Sequence, residues 1–133
     1  MRFPHVGFLM APILVVEDDG AIGALITDIL EGSGFQTECV QTDVAAYKVL
    51  QTRALPAGVI VDVNLGRGTT GFDVARFARK VAPRIPVIYM SGDSDEVSFQ
   101  TFGVPDSDFL AKPFTPDQLL SKVSACLDAQ QAP

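Results

Sequence analysis

Five apolar runs of strand length recur along the chain, near Ile13–Val16, Phe35–Val40, Gly58–Val61, Pro86–Met90 and Asp108–Ala111, with starts 22 to 28 residues apart. A strand of about five residues, a helix of about eleven and two loops of about three fill one such interval. Strand and helix therefore alternate, which is the pattern of a parallel sheet connected through helices. Because the runs are close to continuously apolar, the strands are expected to be covered on both faces. Five such units account for nearly all of the 133 residues, so the chain reads as one α/β domain.

The intervening segments carry helical periodicity. Ile22, Leu25, Ile26, Ile29 and Leu30 form one inward stripe that stops at Gly32 and Gly34. A second helix, from about Asp43 to Arg53, is predicted with Thr42 as its cap and Val44, Tyr47 and Leu50 inward. Val74, Phe77, Ala78 and Val81 repeat the stripe after Gly71. A short fourth helix is expected from Ser94 to Phe102, ending at Gly103. The last helix is the best marked: Thr115 at the cap, Pro116 at the first helical position and Gln118 completing a capping box. Its apolar face is Leu119, Leu120, Val123, Cys126 and Leu127.

Composition narrows the function classes. Sixteen acidic residues against ten basic ones leave a net charge of -6, which argues against direct nucleic-acid binding. Cys39 and Cys126 are far apart and lack metal-ligand spacing, so neither a zinc site nor a disulfide framework is indicated, and a reducing, cytoplasmic setting is expected. Val6–Val16 is apolar but ends in Glu17-Asp18-Asp19, unlike a signal peptide, and is too short to cross a bilayer. His5 has no partner to make it chemically informative. With only a few residues after the last helix, no output domain is expected.

Ligands of open parallel sheets bind beyond the carboxyl ends of the strands. Strand one ends in Glu17-Asp18-Asp19, strand three in Asp62, strand four in Ser91 and strand five in Lys112-Pro113. Each group alone is an ordinary turn residue. Together they bring carboxylates, a hydroxyl and an ammonium to one edge. Crowded carboxylates raise one another's pKa unless a cation intervenes, and hard oxygen donors suit Mg2+ or Mn2+. An aspartate beside such an ion can accept a phosphoryl group, whose oxygens a lysine and a hydroxyl would hold.

The blocks ILVVEDD at 13–19, VIVDVNL at 59–65, IPVIYMSG at 85–92 and FLAKPF at 109–114 resemble the receiver domain of two-component response regulators. The resemblance runs from Ile13 to about Asp128. It implies a five-stranded parallel sheet in the order 2-1-3-4-5 flanked by five helices, a flavodoxin-like three-layer sandwich. On this resemblance residues 13–129 form the receiver unit, 1–12 a leader outside it and 130–133 a short tail. It further implies Asp62 as phosphoacceptor and Glu17 and Asp18 as the Mg2+-holding pair, with the backbone carbonyl of Asn64 as another ligand. Ser91 resembles the switch hydroxyl, Phe109 the switch aromatic and Lys112 the phosphate-binding lysine, with a cis Lys112–Pro113 peptide. Asp19 falls one position beyond the acidic pair and is expected to start the first helix. The partners implied are a sensor histidine kinase or histidine phosphotransfer protein and a downstream protein target. Neither nucleic-acid contact nor membrane insertion is expected.

The sequence also departs from the family pattern. The stretch Gly66-Arg67-Gly68-Thr69-Thr70-Gly71 stands where the family usually has a shorter loop with a proline. Phe109 replaces a tyrosine, Pro105 follows the fourth helix closely, and Met10 is a second candidate for the first residue. GRGTTG also matches a dinucleotide fingerprint, with Asp93 at 22 residues beyond it. That reading requires Asp62 and Asn64 to be buried in an extended strand. A flavin carrier would need phosphate beside three carboxylates. A metal-dependent phosphatase with an aspartyl-phosphate intermediate, and a non-phosphorylated scaffold, are the remaining alternatives.

Overall fold

The computed structural model describes residues 11–52, 54–66, 70–92 and 96–131. In chain order the elements are β1 (Ile13–Val16), α1 (Gly20–Gly32), β2 (Thr37–Val40), α2 (Asp43–Leu50), β3 (Gly58–Asp62), α3 (Gly71–Val81), β4 (Val87–Ser91), α4 (Glu96–Phe102), β5 (Asp108–Ala111) and α5 (Pro116–Gln131). The five strands are parallel and lie in the order β2-β1-β3-β4-β5. Sheet and helices form the expected three-layer sandwich.

Alternation along the strands divides the core in two. Leu14, Val16, Val59, Val61, Val87 and Tyr89 join α2 and α3 on one face. Ile13, Val15, Ile60, Ile88 and Met90 join α1 and α5 on the other. Every residue of β1, β3 and β4 is buried. Edge strand β2 is different. It begins at Thr37 rather than Phe35, and both Glu38 and Cys39 are exposed because no further strand covers that side.

The helix ends follow local chemistry. Asp19 caps α1 by accepting the N–H groups of Ala21 and Ile22 at 2.9 and 3.2 Å. The same helix ends in a Schellman turn, in which Phe35 N–H donates to Leu30 O and Gly34 N–H to Glu31 O. Gly34 takes φ +97° there, a conformation that favours glycine. The capping box of α5 is formed, with Thr115 N–H donating to Gln118 Oε1 at 2.8 Å and Gln118 N–H to Thr115 Oγ1 at 3.1 Å.

Three inward assignments need correction. Leu25 and Val44 are each 57% exposed, and Val81 is 40% exposed. In each helix a narrower arc, Ile26 and Leu30, Ala46 and Leu50, or Val74 and Ala78, touches the sheet. Helix α2 stops at Leu50, capped by Gln51, instead of continuing to Arg53, which lies outside the described residues. Helix α4 spans Glu96–Phe102. The expectations placed on His5, Met10, Ser94, Asp93 and residues 67–69 also fall outside the described residues. Helix α5 extends to Gln131. Among the described residues, no helix is long and apolar enough to cross a membrane.

Candidate functional site

The carboxyl ends of β1 and β3 are adjacent because those strands pair in the middle of the sheet, Val16 opposite Val61. The residues that follow, Glu17 and Asp62, therefore meet. Carboxylate oxygens of Glu17, Asp18 and Asp62 all lie within 4.8 Å of one another. Glu17 is 1% exposed and Asp62 6%, whereas Asp18 is open to solvent.

Lys112, just beyond β5, reaches this group from the other side. Its Nζ donates at 2.7 Å to Glu17 Oε1 and at 2.7 Å to Asp62 Oδ2. The Lys112–Pro113 peptide is cis. Lys112 N–H donates to the carbonyl of Ser91 at 2.7 Å, tying the ends of β4 and β5 together. Ser91 itself is 3% exposed. The loop after β3 folds back on Asp62. Asn64 N–H donates to Asp62 Oδ1 at 2.9 Å, and Asn64 Oδ1 accepts from Gly66 N–H at 3.0 Å.

Three carboxylates and one ammonium leave a formal charge of −2 at the site when all are ionised. The cost appears in the proton equilibria. Burial pushes the Glu17 carboxyl up from 4.5 to about 7, against the pull of its Lys112 and Asp19 hydrogen bonds and with added repulsion from Asp62. Burial alone would lower Lys112, but hydrogen bonds and attraction from Asp62 and Glu17 outweigh it and hold the ammonium above its ordinary value. One divalent ion would cancel the residual charge. The exposed Asp18 and the oxygen-only donor set fit Mg2+ or Mn2+, which retain waters and accept a phosphate oxygen.

The expected residues are thus arranged in two groups. Glu17, Asp18, Asp62 and Lys112 converge directly, with Asn64 joined through Asp62 and Ser91 through the Lys112 backbone. Phe109 stands apart, half-buried against Phe99 at a centroid distance of 5.4 Å.

Gly71 is a site residue whose role the sequence reading missed. A Cβ there would stand 2.2 Å from the Asp62 carbonyl oxygen, and its N–H donates to Val63 O at 2.8 Å. Only glycine permits this approach. The last glycine of GRGTTG is therefore explained by packing against the backbone of Asp62. Strand β3 ends at Asp62 and Asn64 is exposed, so the extended strand that a dinucleotide site requires is not formed.

A doubly wound parallel sheet with clustered carboxylates and a lysine at its carboxyl edge carries the residue types that metal-assisted phosphoryl transfer onto a carboxylate would need. The family model described as the response regulator receiver domain matches residues 13–124. The chain belongs to that family, the receivers of two-component signal transduction. It is similar to the DNA-binding response regulator MtrA of Mycobacterium tuberculosis, 31% identical over 117 residues, covering 86% of this chain and 50% of MtrA. A response regulator receiver protein from Sinorhizobium medicae superposes with a TM-score of 0.86 at 33% identity, covering 92% of this chain and 98% of that one. The receiver domain of NtrX from Brucella abortus gives a TM-score of 0.77 at 30% identity, covering 87% and 98%. The chain spans about half the length of the curated relatives it matches. Neither the site nor these relatives favour the phosphatase, flavin-carrier or scaffold alternatives.

Proposed function

We propose that Asp62 accepts a phosphoryl group from the phosphohistidine of a sensor histidine kinase or a histidine phosphotransfer protein. The observation that supports this most is the position of Asp62. It ends the central strand, nearly buried, 2.7 Å from Lys112 Nζ and beside the carboxylates of Glu17 and Asp18. Glu17, Asp18 and Asp62, with the Asn64 backbone carbonyl, would hold Mg2+, or Mn2+ in its place. When bound, the ion would supply positive charge to the phosphoryl oxygens. An oxygen of Asp62 attacks phosphorus in line with the imidazole nitrogen, so that an O–P bond forms as the N–P bond breaks. Lys112 balances charge on the transferred group, and Ser91 hydrogen-bonds one of its oxygens.

The chain catalyses only its own phosphorylation and slow dephosphorylation. Phosphorylation shifts a population of conformers in which Phe109 turns and the α4–β5 surface changes. The unit carrying this activity is residues 13–129, flanked by 1–12 and 130–133, and works in the cytoplasm. The signal leaves through contacts with a protein target or by onward phosphotransfer. The acidic balance of the chain opposes direct nucleic-acid contact, and no membrane insertion is involved.

Incubating the protein with acetyl phosphate tests the metal-dependent step. Wild type should gain a phosphoryl mass only with Mg2+, and Asp18→Asn should lose most of that Mg2+-dependent labelling. Equal labelling with and without Mg2+ would overturn the metal assignment.

A further inference from the structure

Tyr89 has the largest of the fully buried side chains among the described residues. It lies on β4 in register with Phe109 on β5 and Val61 on β3. It lies two positions before Ser91, so the two side chains share a face of the sheet. Its ring is flanked by Phe72 at 5.1 Å and Phe99 at 5.6 Å. Phe72 follows Gly71, the residue packed on the Asp62 carbonyl, and Phe99 continues the contact to Phe109.

A phenylalanine would fill this apolar space without a hydroxyl to satisfy. Instead the Tyr89 hydroxyl accepts the buried Val104 N–H at 3.1 Å. Val104 sits just past the end of α4, on the segment leading into β5. One side chain therefore joins the strand that ends at Ser91, the start of α3 and the exit of α4. The outer surface of α4 presents Val97, 73% exposed, and Phe102, 56% exposed and packed on Phe72 at 5.9 Å.

We infer that Tyr89 is a positioning residue that couples the Ser91 end of β4 to α4 through its hydroxyl bond to Val104 and its ring contact with Phe99. The inference rests on the proposed reading of Asp62 and adds a second route beside Phe109. When Ser91 is drawn toward a phosphoryl oxygen, the β4 backbone carries Tyr89 with it. The exit of α4 must follow or lose a buried hydrogen bond.

Hydrogen exchange of the full chain, with and without Mg2+ plus beryllium fluoride as the phosphoryl mimic, tests this. Wild type should gain protection at residues 62–66 and change its exchange at 97–104. Tyr89→Phe should keep the protection at 62–66, exchange the Val104 amide about twofold to tenfold faster, as loss of one buried hydrogen bond implies, and lose most of the mimic-dependent change at 97–104. A Tyr89→Phe response at 97–104 equal to that of wild type, with 62–66 still protected, would overturn the coupling. Absence of protection at 62–66 in wild type would instead overturn the Asp62 reading, and the coupling with it. Should Tyr89→Phe fail to fold, Phe99→Leu keeps the hydroxyl and removes the ring contact. It too should lose the response, and an undiminished response there would overturn the coupling.

Discussion

Replacing Glu17 by glutamine should stabilise the metal-free protein at alkaline pH. The carboxyl is held at about 7 in the folded chain against 4.5 ordinarily, chiefly because it is buried. At about 1.4 kcal/mol per tenfold change in proton affinity, ionised Glu17 costs the metal-free fold about 3 kcal/mol. The sign follows from linkage. Between pH 4.5 and about 7 the folded state keeps a proton that the unfolded state has released. Stability therefore falls as pH rises through that window and levels off above it. Lys112 is raised from an already high 10.5, so its contribution is lost only at more alkaline pH. Urea denaturation in EDTA should show wild type and Glu17→Gln close together at pH 4.5 and separated by about 3 kcal/mol at pH 8, the variant being more stable. Mg2+ should close the gap by stabilising wild type preferentially. Equal metal-free stabilities at pH 8, or a difference that does not grow between pH 4.5 and about 7, would show that ionised Glu17 does not strain the metal-free fold.

Gly71→Ala should destabilise the fold by about 1–3 kcal/mol and slow labelling of Asp62, since its Cβ must displace the Asp62 backbone. Denaturation and acetyl phosphate kinetics check the two effects together. Arg79 donates to the carbonyls of Ile85, Pro105 and Asp106 at 2.8, 2.6 and 3.1 Å, joining the loops ahead of β4 and β5. Arg79→Ala should cost about 2–4 kcal/mol by urea titration while leaving the labelling rate unchanged, because these loops lie at the sheet edge opposite Asp62. Phe109→Ala should retain labelling at Asp62 but reduce the phosphorylation-dependent gain in affinity for the target, measured by binding titration.

The strands legible in the sequence are β1, β3 and β4, buried on both faces where nearly every residue must be apolar, and β5, whose Phe109-Leu110-Ala111 run stays apolar at the sheet edge. Edge strand β2 starts later than its apolar run suggests because it has a neighbouring strand on one side only, which leaves Glu38 and Cys39 exposed. The inward placement of Leu25 and Val44 failed because apolar spacing marks a wider arc than the sheet contacts. The carboxylates at the strand ends could be grouped because parallel topology brings those ends to one edge. The joins between distant residues could not be foreseen. Lys112 meets Glu17 across 95 positions, Arg79 reaches Pro105 across 26, and Tyr89 finds Val104 across 15. Such contacts depend on loop paths and rotamers that periodicity does not encode. Gly71 left only a glycine in a motif, whose cause is the nearness of the Asp62 carbonyl.

Asp62 is proposed to be the one residue that carries the phosphoryl group. Labelling with acetyl phosphate and Mg2+, followed by borohydride reduction and peptide mapping, should locate a single modified residue at position 62. Asp62→Asn should remain unlabelled, with a cooperative melting transition in Mg2+-free buffer showing that it folds. Labelling of Asp62→Asn to the wild-type extent, or modification mapped to Glu17 or Asp18 in the wild-type protein, would contradict the account.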